Sequence, residues 1–198
     1  MLHIDKSGRI INSKVKLEIH LSIQKRLMKK VSGLIVHQTN SPTAQSTFNG
    51  YKQGLSGAHF LIDKDGTIYQ TASVHYQTWH VGKLKARCLV ELTCTPKEIK
   101  ALKTFNPTLE HKAEMQKNVP DRYPANHDSI GIEIVGMAIQ GNNPNEEAVY
   151  EEVTEEQNAS LKWLVNELSL YFGFPKSEVF RHPTVSRKTS SEAATAAW

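Results

Sequence analysis

Two histidines, a glutamate and a lysine, scattered along the 198-residue chain, could assemble a hydrolytic metal site. His37 closes the apolar run 33–37 (GLIVH) and is followed by the polar Gln38, Thr39 and Asn40. A histidine where a buried strand opens into a loop can offer a neutral imidazole to a metal at a cleft edge. The plainer reading of one such residue is a hydrogen-bonded core histidine. His182 repeats the arrangement, following Val179 and Phe180 and preceding Pro183. Two strand-end histidines far apart in sequence could converge on one ion. Glu133 lies inside the run 130–135 (IGIEIV), where strict alternation puts Ile130, Ile132 and Ile134 on one face. Gly131, Glu133 and Val135 share the other. A carboxylate on a buried face is costly without a partner such as metal-bound water or a cation; on an edge strand it would simply face solvent. Lys188, six residues after His182, could stabilise a developing oxyanion or be a solvated surface lysine.

The elements that must position these groups alternate between strand and helix. GLIVH reads as a buried central strand, and the segment after Pro42 (TAQSTFNGYKQG) as a short helix. Residues 58–62 (AHFLI) and 67–70 (TIYQ) read as strands joined through the Asp65-Gly66 turn. IGIEIV is a further strand, and GNNPNEEAV a loop. Thr154 and Gln157 form a capping-box pattern, after which Leu161, Leu164, Val165 and Leu168 trace a helix ending near Gly173. Residues 178–182 (EVFRH) make the last strand, and EAATAAW reads as a final short helix. The expected architecture is a single α/β domain, a central mixed sheet flanked by helices. Residues 1–30 read as an N-terminal extension of a domain spanning 31–198, with an insertion at about 84–127. That insertion carries Cys88, Cys94, Pro96, Pro107, Pro120 and Pro124, and a helical patch near PKEIKALK.

Composition narrows the function. Hydrophobic residues make up 39% and charged residues 22%, as in an ordinary globular domain. The net charge of +4 favours anionic partners. The basic residues are scattered and no nucleic-acid-binding signature is visible, so a nucleic-acid partner is not expected. No apolar run is long enough for stable membrane insertion, and the alternating N-terminus has no signal-peptide core. The spacing of Cys88 and Cys94 does not suit a zinc knuckle; they are either a local disulfide or two free thiols.

Five segments in order carry a resemblance: IVHQT at 35–39, SGAHFLIDKDGTIYQ at 56–70, TWHVGK at 78–83, SIGIEIVG at 129–136 and RHPTVSRK at 181–188. Over residues 31–198 the chain resembles the zinc-dependent N-acetylmuramoyl-L-alanine amidases, a family that includes phage amidase-type lysozymes and peptidoglycan recognition proteins. The segment 84–127 and the stretch PANHDSIGIEIVG also look like amidases exported as antibacterial effectors by type VI secretion. The resemblance implies the peptidoglycan recognition protein-like amidase fold. It implies hydrolysis of the bond between N-acetylmuramic acid and L-alanine, with Zn2+ as cofactor and peptidoglycan or muropeptide as substrate. An effector would have an immunity protein as partner and would act in the periplasm or on the cell wall after export without a Sec signal. Rival readings are a non-catalytic muropeptide-binding module and a cytosolic wall-recycling amidase.

The resemblance also distributes roles. His37 and His182 would bind zinc, Glu133 would be the general base and Lys188 the carbonyl-polarising cation. His80 and Trp79 would lie at the substrate groove, and His59 would be structural or behind the ligands. The family usually places an aspartate or cysteine ligand two residues after the lysine, where this chain has Ser190, a poor zinc ligand. Glu192, four residues after Lys188, is preferred as the third ligand because it supplies a negative charge.

Overall fold

The run GLIVHQ is wholly buried because it has a strand on each side and a layer on each face, the environment in which strands lose their polar alternation. In the computed structural model, which describes residues 2–143 and 145–198, a six-stranded mixed sheet forms the centre. Its strands, in chain order, are β1 (Val15–Leu17), β2 (Gly33–Gln38), β3 (Phe60–Ile62), β4 (Ile68–Gln70), β5 (Ser129–Ile134) and β8 (Val179–Arg181), arranged β1-β4-β3-β5-β2-β8. A separate antiparallel pair, β6 (Ala138–Ile139) and β7 (Val149–Tyr150), occupies part of the stretch expected as loop. Pro144, within that stretch, lies outside the described residues.

Register brings the chemistry together. β5 and β8 both run parallel to β2; His37 pairs with Glu133, and Val36 with Arg181, so His182 follows immediately beside His37. Ligand sites in open sheets of parallel strands form beyond the carboxyl ends of the strands, where these residues stand. Strand alternation then separates the faces. Leu34, Val36, Phe60, Ile62, Ile130, Ile132 and Ile134 pack in one cluster with Leu161, Leu164, Val165 and Leu168 of helix α5 (Glu155–Phe172). Ile35, Leu61 and Val135 belong to clusters on the opposite face, the face of His37 and Glu133.

α5 begins as its sequence dictates: Thr154 Oγ1 accepts from the Gln157 amide, and the Gln157 side chain accepts from the Thr154 amide. It ends at Gly173, whose φ of 74° is the left-handed C-cap that glycine adopts without strain. On the chemistry face, α1 (Ala44–Tyr51) buries Ala44, Phe48 and Tyr51 against Ile23, Leu61 and Val135.

The first thirty residues join the domain closely: β1 pairs with β4, and Leu2, Ile10 and Val15 enter the main core. The segment 84–127 forms three short helices, α2 (Arg87–Val90), α3 (Pro96–Leu102) and α4 (Pro107–Glu114), with Cys88 and Cys94 bridged. Arg87 anchors it through an ion pair with Glu178 at 2.8 Å, and Leu84, Tyr123 and Ala125 pack with Ile35 and Val185. One expected element does not form. EAATAAW is not a helix; residues 190–195 are a turn, and Ala193 adopts a left-handed φ of 54°.

Candidate metal centre

His37 is the penultimate residue of β2, and His182 opens the four-residue helix α6 (His182–Val185) directly after β8. Glu192 comes from the C-terminal turn. One ligand atom from each, all buried, can be chosen so that the three lie within 4.8 Å of one another. Glu192 Oε1 is 2.9 Å from His182 Nδ1 and 3.5 Å from His37 Nδ1.

Hydrogen bonding decides which imidazole nitrogens carry protons. His182 Nε2 is 2.9 Å from the Val81 carbonyl, which can only accept, so Nε2 donates and Nδ1 holds a lone pair. His37 Nε2 is 2.9 Å from His80 Nδ1, and His80 Nε2 is 3.2 Å from Ser129 Oγ. Ser129 spends its proton on the Ala125 carbonyl at 2.7 Å, so its oxygen accepts from His80. His80 Nδ1 therefore accepts from His37 Nε2, which leaves a lone pair on His37 Nδ1 as well. Two imidazole lone pairs and a carboxylate oxygen converge, an arrangement that requires a cation or extra protons between them. The donor set, two neutral imidazoles and one carboxylate, suits zinc and leaves a coordination position open.

The electrostatics agree with this picture. Burial holds His37 down to about 4, helped by repulsion from His182, so it is neutral near pH 7. Burial would raise the Glu192 carboxyl, but the His182 and His37 imidazoles prevail and hold it down to about 2, a proton on Nδ1 there standing where a cation would. Glu133 is pushed the other way. Burial, with repulsion from Glu192, raises it to about 8 despite the Lys188 charge. Its Oε2 is buried without a hydrogen-bond partner, a polar atom left unsatisfied beside the ligands.

These groups open into a cleft of about 870 Å³ lined by His37, Glu133, Lys188, Trp79, Asn126 and Tyr150, among others. Lys188 is exposed there. Trp79 stands on the rim, 54% exposed, with Lys25 Nζ 4.8 Å from its ring centre.

The family is decided by comparison. The family model described as N-acetylmuramoyl-L-alanine amidase matches residues 27–193. The chain belongs to that family. Solved structures carry the same fold. The amidase is 18% identical to AmpD, crystallised as its selenomethionine derivative, with a TM-score of 0.51 over 95% of this chain and 91% of that one. It is 17% identical to the catalytic domain of XlyA, with a TM-score of 0.51 over 90% and 88% of the two chains. AmpDh3 from Pseudomonas aeruginosa, solved in complex with anhydromuramic pentapeptide, is 19% identical, with a TM-score of 0.52 over 96% of this chain and 61% of that one. Among curated protein sequences none matches the amidase.

The structure brings His37, His182, Glu192, Glu133 and Lys188 to one cleft in the amidase. Ser190 is exposed and turned to Glu147, whose Oε2 accepts from both its amide and its hydroxyl at 3.0 and 2.7 Å. Expected at the groove, His80 touches the cleft but is 9% exposed, its ring nitrogens bonded to His37 and Ser129. His59 is buried deeper. It accepts from the Gly131 amide through Nδ1 and bonds the Tyr76 carbonyl through Nε2, and burial holds it down to about 4. Cys88, Cys94 and Glu98 also cluster, but the bridged cysteines offer no thiolates.

Sequence reasoning passed over Asn126, Ser129 and Gly131. Asn126 Oδ1 accepts from the His80 and Val81 amides at 3.0 and 2.8 Å. Gly131 clears the space His80 fills, since a Cβ there would lie 2.7 Å from its Nδ1. The signal available was a glycine two residues before the half-buried glutamate of β5.

Proposed function

We propose that the amidase is a zinc enzyme that hydrolyses the amide between N-acetylmuramic acid and L-alanine in bacterial peptidoglycan, as an antibacterial or lytic activity. The observation carrying this reading is the convergence of His37, His182 and Glu192 beside an unpartnered Glu133 oxygen. The complex of AmpDh3 with anhydromuramic pentapeptide supports a muropeptide as the substrate class. The Cys88–Cys94 bridge suits action in an oxidising compartment, such as the periplasm or the wall.

Bound zinc would acidify a water towards pKa ~7 and polarise the scissile carbonyl. His37 and His182 present Nδ1 lone pairs, and Glu192 contributes one negative charge. Glu133 accepts a proton from the attacking water at Oε2 as the water oxygen bonds the carbonyl carbon. It returns that proton to the alanine nitrogen as the C–N bond breaks; a cation held by the neighbouring ligands would lower this carboxyl from about 8 and so supply the ionised form the first step needs. Lys188, which lines the same cleft, would stabilise the oxygen on which negative charge develops; losing one such stabiliser costs about 10²–10³ in rate. Trp79 offers a flat apolar contact at the rim.

Glu133→Gln keeps the shape and removes the proton acceptor. It is expected to retain stoichiometric zinc by metal analysis while losing nearly all release of L-alanine amino groups from muropeptide. Near-normal turnover would remove Glu133 from the mechanism; full zinc with no turnover in the wild type would favour a binding module.

A further inference from the structure

Glu192 stands where no helix or strand holds it. It lies in the turn 190–195 and precedes Ala193, whose left-handed φ of 54° a residue with a Cβ adopts only when its surroundings fix it. Both peptide groups of Ala193 are taken by side chains adjacent in sequence to the two histidines. Arg181, before His182, donates from Nε to the Ala193 carbonyl at 2.9 Å and from Nη2 to the Ala196 carbonyl at 2.6 Å. Its guanidinium lies over the Trp198 ring at 5.0 Å. Gln38, after His37, accepts from the Ala193 amide at 3.1 Å and donates to the Glu151 carbonyl at 2.8 Å. Ala193 and Ala196 are buried; without Arg181 the Ala193 carbonyl keeps the Ala196 amide at 3.1 Å, but the Ala196 carbonyl finds no water to replace its donor. A guanidinium fork can serve two carbonyls at once, which a lysine ammonium cannot do in the same geometry.

We infer that Arg181, with Gln38, is a positioning residue for the third metal ligand, clamping the C-terminal turn so that the Glu192 carboxylate meets Nδ1 of both histidines. This rests on the reading of Glu192 as a zinc ligand. Neither residue needs to touch the metal: each grips the turn that carries the carboxylate, from a position next to an imidazole ligand. The three ligands, drawn from distant points in the chain, are thereby locked to one another through the backbone of Ala193.

The test is a double-mutant cycle on the full chain, read as zinc affinity by competition with a chromogenic chelator. Arg181→Met should weaken zinc binding 10–100-fold, the range for residues that orient metal ligands. In a Glu192→Ala background the same change should cost less than about twofold, because the carboxylate it positions is gone. A general loosening of the fold would cost the same in both backgrounds, and that result, or an unchanged affinity in Arg181→Met, overturns the inference. If Arg181→Met does not fold, Gln38→Met runs the same cycle with the same readings. A wild type that binds no zinc, or a Glu192→Ala variant that binds it as tightly as wild type, overturns the ligand reading beneath it.

Discussion

Gly131→Ala tests whether His80 is held against His37 as tightly as the geometry implies. The new Cβ would meet His80 Nδ1 at 2.7 Å, Cγ at 2.8 Å and Cε1 at 3.1 Å. Ordinary contact between carbons is about 3.5–4.0 Å, so the ring must retreat by roughly 1 Å. Its bond to His37 is 2.9 Å long and would stretch beyond hydrogen-bonding range. β5 cannot yield instead, because it is paired on both sides, to β3 and β2. Overpacking costs about 1–3 kcal/mol, and a lost buried hydrogen bond about 1 kcal/mol more. At ~2–4 °C per kcal/mol for a domain of this size, the melting temperature should fall by about 4–16 °C. His37 would lose its tautomer control, and zinc affinity should fall about 10–100-fold. Gly50→Ala is the control. The same methyl, added at an exposed position of α1 with nothing within 4 Å, should stabilise by about 0.5–1 kcal/mol. Thermal melts and chelator competition measure both variants. A Gly131→Ala protein that melts and binds zinc like wild type would show that Gly131 does not confine His80.

The third ligand and the buried histidines give further tests. Glu192→Ala should weaken zinc binding far more than Ser190→Ala, whose hydroxyl is bonded to Glu147; the reverse order in a chelator titration would reassign the ligand. His59 is held down to about 4 by burial, against 6.5 in the unfolded chain. The unfolded state therefore binds the extra proton between these values, and stability falls as pH drops from 6.5 to 4, by about 3 kcal/mol from this residue. His59→Asn retains an acceptor for the Gly131 amide and does not titrate. Denaturant melts of the metal-free variant should show a shallower loss across that window than wild type, and equal slopes would show that His59 does not carry this dependence.

Much of this was legible because the signals are local. GLIVH and IGIEIV read as strands from their apolar runs, and Thr154 with Gln157 marked the start of α5. His37 and His182 stood out because each follows an apolar strand, and the parallel register then set them side by side. The groups that orient them were hidden because their partners are distant in sequence. Ser129 lies 49 residues from His80, and the Ala193 amide 155 residues from Gln38. The alanine-rich C-terminus misled for a related reason. Its helix propensity is genuine, but Arg181 donates to its Ala193 carbonyl while Gln38 and Asn158 accept from its Ala193 and Ala197 amides, and these bonds hold the backbone out of a helix. β1 was missed although Val15, Leu17 and Ile19 alternate with polar residues, because the strand is only three residues long and its partner lies some fifty positions away.

The most direct measurement is mass spectrometry of purified sacculi digested by the zinc-loaded amidase, with and without a chelator. The digest should contain glycan strands bearing free lactyl carboxylates and stem peptides with a free L-alanine amino terminus, abolished by chelator and restored by added zinc. Cleavage at another bond, or the same products undiminished when the metal is stripped, would contradict zinc-dependent cleavage of this amide.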